Sequence, residues 1–345
     1  VYSDHAAPTV QNMAEVAQQI LTPAQREVFQ QRKEIDFAFG VPGVARFPAH
    51  LYVQRGSVAL GFRHLPVEIR TTSELGLPEI VEKLAMRSRG LILVTGTVGS
   101  GKSTTLAAMV DAINRKTARH VITIEDPVEF LHRDNHSIVS QREIGCDTDG
   151  YTEALRHVLR QDPDVILIGE IRDQESMKIA LTAADTGHLV LSTLHTTDAM
   201  QTVSRIISFF PPHQHQEIRF LLASTLAAVV SQRLVADADG LTRHPACEVM
   251  INTGTIAEYI READKTIFIR QAIQEGFIQH QMQTFDQSLM QLYKEEKITL
   301  DEAMRASTNP HEFELRIKGI QASSDKTWDA FEDSHKEEEP EITRL

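Results

Sequence analysis

Leu91-Ile92-Leu93-Val94-Thr95-Gly96-Thr97-Val98-Gly99-Ser100-Gly101-Lys102-Ser103-Thr104 is the stretch whose reading decides the fold. Residues 91–95 are a short apolar run stopped by glycine, the pattern of a strand buried on both faces. Residues 96–103 fit GxxxxGK[ST], and helical spacing follows over 102–114. A strand, a glycine-rich loop and a helix in that order form the context a phosphate-binding loop requires. Glycines let successive backbone N–H groups turn inward on an anion, and the helix start adds its positive dipole end. Lys102 is placed to reach the β- and γ-phosphates of a nucleotide. The Ser103 hydroxyl is placed to bind its Mg2+.

Working outward, apolar runs at 121–124, 165–168 and 189–193 alternate with helical stretches at 151–160 and 174–186. Strands without polar alternation, separated by helices, predict an α/β core around a mainly parallel sheet. Ligands bind such sheets at the carboxyl ends of strands, and chemistry-bearing residues stand there. The 121–124 run leads into Glu125, Asp126 and Glu129, a set of acids able to orient water or hold Mg2+ through its water shell. The 165–168 run ends in Gly169-Glu170, with Gly169 where a metal-binding Asp usually stands in nucleotide hydrolases. Metal handling is therefore expected of Ser103, Glu170 and water. His188 and His195 bracket the last run seven positions apart. That odd separation sets them on opposite faces of a regular strand, so a shared metal is not expected. One at the strand end could hydrogen-bond a γ-phosphate.

Residues 1–70 predict a small α+β unit: helices at 13–20 and 23–33, a strand at 35–39, and a hairpin of 46–52 with 58–65 turning near Arg55-Gly56. Residues 71–78 read as a linker and 79–321 as the nucleotide domain, with 213–235 and 256–318 mainly helical. The polar, acidic 322–345 reads as a disordered tail.

At 345 residues and 41% hydrophobic the chain supports two cores, and no apolar run reaches the length of a membrane span. It opens Val1-Tyr2-Ser3-Asp4, without Met and without a signal pattern, so a cytosolic protein beginning partway into a longer chain is expected. Cys146 and Cys247 form no CxxC pair, which argues against zinc. The net charge of −13, without a strong Lys/Arg cluster, argues against a nucleic-acid translocase.

The boxes GTVGSGKST (96–104), TIEDPVEF (123–130), DVILIGEIRD (164–173) and TGHLVLSTLH (186–195), in this order, resemble the secretion and pilus-motor ATPases. Within them the chain is most similar to the PilT-type retraction ATPases and their PilU relatives, from about residue 36 to about residue 320. The resemblance implies a RecA-like core preceded by a PAS-like N-terminal domain and assembled as a homo-hexameric ring. Such a ring sits in the cytoplasm, peripheral to the inner membrane, beneath a type IV pilus platform protein and possibly beside a paralogous motor. It implies ATP and Mg2+ as ligands, Glu129 as the base, Glu170 as the strand-end glutamate with Glu125 in support, and His188 and His195 as the histidine box. Arg46 and Arg63 are the matching arginines expected at the nucleotide across a subunit boundary, with Arg55 also in the hairpin.

Departures are Thr97-Val98 for Pro-Thr, Arg46-Phe47-Pro48 for Arg-Phe-Arg, and FIRQAIQE (268–275) for AIRNLIRE, a segment tied to retraction. The family's first N-terminal strands are also missing. An assembly or secretion ATPase is the nearest alternative, against which the absence of paired cysteines counts. The other alternative is a weakly hydrolysing PilU-like accessory subunit.

Overall fold

A computed structural model describes residues 7–41, 45–62 and 68–318, with no side-chain description at 45 and 46. The N-terminal unit runs α1 (Val10–Ile20), α2 (Pro23–Arg32), β1 (Glu34–Val41), β2 (Ala45–Gln54) and β3 (Ser57–Phe62). Thr9 and Thr22 each close a capping box, and Pro23 starts α2 where its missing N–H costs nothing. The three strands form an antiparallel sheet with β2 in the centre, and Phe37, Ala49 and Leu51 pack with Ala17 of α1 and Leu21 just after it. Arg55 and Gly56 both take positive φ (50° and 78°) between the paired Gln54 and Ser57. That is the two-residue hairpin turn expected there.

Residues 71–78 are not a free tether. Thr72 and Leu77 are buried, Leu77 within the core of the larger unit, and the Thr72 hydroxyl donates to Glu82 at 2.9 Å.

The larger unit continues α3 (Glu79–Ala85), β4 (Gly90–Thr95), α4 (Lys102–Lys116), β5 (His120–Glu125), β6 (Ile138–Glu143), α5 (Tyr151–Val158), β7 (Val165–Ile168), α6 (Gln174–Asp185) and β8 (Leu189–Leu194). Then come α7 (Ala199–Ser208), α8 (His215–Thr225), β9 (Leu226–Ala236), β10 (Arg243–Ile251) and α9 (Gly254–Arg261). It ends in α10 (Ile269–Glu275), α11 (Phe277–His280), α12 (Phe285–Lys294), α13 (Leu300–Ala306) and α14 (Pro310–Ile317). Seven strands form one sheet in the order β10-β9-β4-β8-β7-β5-β6, parallel except for the β9–β10 pair. One strand, β8, separates the phosphate-loop strand β4 from β7, the RecA-like arrangement.

Residues 226–235 are strand where helix was expected. Leu226 to Val230 are all buried, and an uninterrupted apolar run has no period to tell a core strand from a core helix. Apolar layers cover both sheet faces, so the strand-end loops are the places where polar chemistry can gather. Among the described residues no helix is long and apolar enough to cross a membrane. The acidic tail lies outside the described residues.

Candidate active site

Because β4, β5, β7 and β8 are parallel and in register, their carboxyl ends share one edge. At the end of β4 the chain turns through Gly96, Gly99 and Gly101 with φ of 143°, 79° and 92°. A Cβ on Gly96 would stand 2.5 Å from both the Gln232 carbonyl oxygen and Ser100 Oγ, so only glycine fits there. Helix α4 then begins at Lys102 with no side-chain cap, which leaves its first N–H groups for an anion. Ser100 Oγ is buried beside Gly96 without a hydrogen-bond partner. Lys102 Nζ donates to the Gly96 and Thr97 carbonyls at 2.9 Å each. Burial lowers its pKa, opposed by the charges of Glu170 and Glu129, so both carboxylates act on the cradle.

The acids divide by environment. Glu125 is turned inward: Thr123 Oγ1 donates to Oε1 at 2.6 Å and Gln141 Nε2 at 3.1 Å. Burial nevertheless raises its pKa. Glu129 instead lines a cleft of about 1180 Å³ between the two units, together with Asp126 and Arg172 of the larger unit and Asp36, His50 and Phe62 of the smaller. Glu170 carries an ion pair to Arg172 and accepts His195 Nε2 at 3.3 Å. Gly169 has a steric reason: a Cβ would come 2.9 Å from Tyr151 Oη and 3.3 Å from the Ile124 carbonyl. The tyrosine hydroxyl takes the space of a strand-end side chain, and burial beside Asp126 and Glu170 raises its pKa.

The two histidines part company. His195 joins Glu170, but His188 precedes β8, at the opposite end of the strand. Its Nδ1 lies 3.0 Å from the Ala183 carbonyl and 3.1 Å from Thr186 Oγ1. His188 is therefore corrected from a site residue to a structural one: the direction of β8 carries it away from the loop. Arg63 and the Arg46 side chain lie outside the described residues. Their neighbours Pro48 and Phe62 line the cleft, whereas Arg55 sits exposed at the far tip of the hairpin. Arg172 and Tyr151 stand at this edge without a role assigned from sequence, and Gln141, a weaker family match, bonds Glu125. Arg172 stood within the GEIRD signal, two positions after Glu170.

Behind the loop, a second cavity of about 720 Å³ is lined by Arg70, Leu75, Ser100, Thr104, Gln232 and His244. A buried polar seam passes beneath it. Thr95 Oγ1 donates to Ser231 Oγ at 2.8 Å, and Gln232 Nε2 donates to Thr105 Oγ1 at 2.8 Å. Cys247 N–H continues the seam to Ser288 Oγ of α12 at 3.1 Å.

A family model described as type II/IV secretion system protein matches residues 62–325. The chain belongs to this family. It is 44% identical over 294 residues to the type IV pilus retraction ATPase PilT of Pseudomonas aeruginosa, covering 85% of each chain. It is 40% identical over 307 residues to the type IV pilus ATPase PilU of the same organism, covering 89% of this chain and 80% of that one. A crystal structure of the pilus retraction motor PilT with bound ADP superposes with a TM-score of 0.81 at 45% identity, covering 87% and 85% of the two chains. The family's core is therefore the seven-stranded unit, with the phosphate cradle on its edge.

Proposed function

We propose that this protein is an ATP-hydrolysing motor of type IV pilus retraction, working as a homo-hexameric ring on the cytoplasmic side of the inner membrane. One observation carries the reading. Glu129 lines the cleft between the two folded units while its charge acts on Lys102 of the phosphate cradle, so a change at phosphate can be turned into domain movement. The overall likeness to PilT, named as a retraction ATPase and a retraction motor, supports the assignment of work.

ATP phosphates enter the glycine cradle, and Lys102 exchanges two loop carbonyls for β- and γ-phosphate oxygens. Base and ribose extend past Thr104 into the second cavity. Glu129, open to the cleft, holds the proton of the attacking water, while Glu125 fixes the strand end behind it. Glu170 is oriented by His195 and Arg172. The donors suit a nucleotide-borne Mg2+: Ser103 hydroxyl and Glu170 are hard oxygen ligands, and no three acidic, His or Cys side chains cluster as a metal cage among the described residues. Mg2+, when bound, neutralises charge on the phosphate oxygens. Most of the rate gain comes from positioning and electrostatics.

Pro48 and Phe62, the neighbours of Arg46 and Arg63, line the same cleft as Glu129, which supports arginines of an N-terminal unit acting at this cleft, whether from the same chain or across a subunit boundary. The platform protein is the natural recipient of the movement. An accessory role rests on the PilU match alone.

The test is steady-state ATPase against protein concentration, with Arg63→Ala alongside. Specific activity that rises with concentration and falls at least tenfold in the variant supports a ring motor using this arginine. Activity indifferent to both removes the arginine and the ring from the mechanism.

A further inference from the structure

His195 is the first residue of a short loop, 195–198, that runs from the catalytic edge into α7. The loop is fastened at its far end. Thr196 Oγ1 lies 2.6 Å from Thr202 Oγ1, and Asp198 caps α7 by accepting the Gln201 N–H at 2.7 Å. The N–H of Ala199, the first helical residue, goes elsewhere: it donates to Glu248 Oε1 at 2.8 Å. Glu248 comes from β10, where it stands opposite Ser231, the residue that receives the Thr95 hydroxyl at the root of the phosphate loop.

Glu248 is only 5% exposed. A buried carboxylate is costly unless it is bonded and faces opposite charge. Burial pushes its pKa up to about 7; the Ala199 N–H pulls the other way, Asp198 adds to the rise, and Arg270 and Arg233 oppose it. Both arginines are anchored in the C-terminal helices. Arg233 Nη1 donates to the Ala306 carbonyl at 2.6 Å, with its guanidinium 3.9 Å from the Phe285 ring centroid. Arg270 Nη2 donates to Asp286 Oδ2 at 2.8 Å. One carboxylate thus touches the helix that follows His195 and feels the two cations that hold α12 and α13.

We propose that Glu248 is a positioning residue for hydrolysis, holding the first turn of α7 so that His195 stays on Glu170, and tying that loop to the C-terminal helices. Glu248 meets neither nucleotide nor water; it acts through His195. An anion at a helix N-terminus, bonded to a free N–H, is the strong form of such a hold. Nothing else among the described contacts bonds the Ala199 N–H. Removing the carboxylate therefore frees the loop without touching the cradle.

The inference rests on the ATPase reading, and the experiment separates the two. Wild type, Glu248→Gln, Glu248→Ala, His195→Ala and both double variants with His195→Ala are assayed at pH 8 for kcat, KM and affinity for a fluorescent ADP analogue. Glu248→Ala is expected to lower kcat about tenfold, and Glu248→Gln, which keeps volume and an acceptor oxygen, about threefold. ADP affinity should stay within twofold in both. In the His195→Ala background neither change should cost more, because the residue they act through is already gone.

A full additional loss in the double variants would reduce Glu248 to general stability and overturn the proposal. So would wild-type kcat in Glu248→Ala. If Glu248→Ala does not fold, the near-isosteric Glu248→Gln pair decides the same question. A wild-type protein that hydrolyses no ATP would instead overturn the functional reading.

Discussion

The two ends of the central sheet are built from the same strands and do opposite things. At the carboxyl end, polar side-chain atoms keep hydrogen-bonding capacity unspent: Ser100 Oγ buried without a partner, Lys102 on replaceable loop carbonyls, Glu129 lining a cleft. At the amino end, the polar groups are consumed locally. Asp164 Oδ2 accepts the His120 N–H at 2.8 Å, His120 Nδ1 lies 3.1 Å from the Gln161 carbonyl, and His188 closes on Ala183. Arg119 donates to the Met86 and Arg87 carbonyls. An end that satisfies itself has nothing to offer a ligand. Residue type does not distinguish the ends, since both carry histidine and acid; unspent hydrogen-bonding capacity does.

The contrast can be broken most directly at Lys102. Lys102→Ala should lower turnover by about three orders of magnitude while leaving the thermal midpoint near wild type, because the lysine spends its donors on its own loop. Phosphate release and a melting curve read both. A variant retaining a tenth of the activity would remove the cradle from the chemistry.

A steric test sharpens the same edge. Gly169→Ala drives a methyl toward Tyr151 Oη and the Ile124 carbonyl and should destabilise the protein by about 2 kcal/mol. Adding Tyr151→Phe should return part of that loss. A denaturant midpoint unchanged by Gly169→Ala would mean that the β7 end is looser than its contacts indicate.

The smallest effects come from the paired histidines. His195→Ala should lower kcat about tenfold with little change in stability. His188→Ala should leave kcat within about twofold and cost about 1 kcal/mol through its lost hydrogen bonds. Equal kcat losses in the two would erase the distinction between the ends of β8.

Much of this was legible in the sequence. The strands at β4, β5, β7 and β8 are short apolar runs closed by turn signals, and the glycine spacing of 96–101 has one sterically sensible use. Edge strand β6 was missed because Ile138 to Glu143 is polar and partly exposed, with no buried run to announce it. β9 was missed because it follows α8 directly, with no glycine or proline between them, and its apolar run 226–230 has no strand period. His188 was misplaced because spacing along a strand tells which face a residue takes, whereas the site depends on which end it occupies. Arg172 lay within the DVILIGEIRD box but received no role until the fold set it beside Glu170. The role of Glu248 depends on β10 lying near α7, a pairing across 49 positions that no local pattern contains.

The seam of hydroxyls and amides from Thr95 through Ser231, and from Gln232 to Thr105, has a mechanical consequence. Hydrogen bonds in a dry interior resist sliding in a way that packed methyl groups do not. The root of the phosphate loop, the base of α4 and strand β9 are pinned against shear. With Cys247 and Ser288 carrying the pin onward to α12, the whole block should rotate as a rigid crank. Any compliance in the power stroke would then fall on the cleft between the two units.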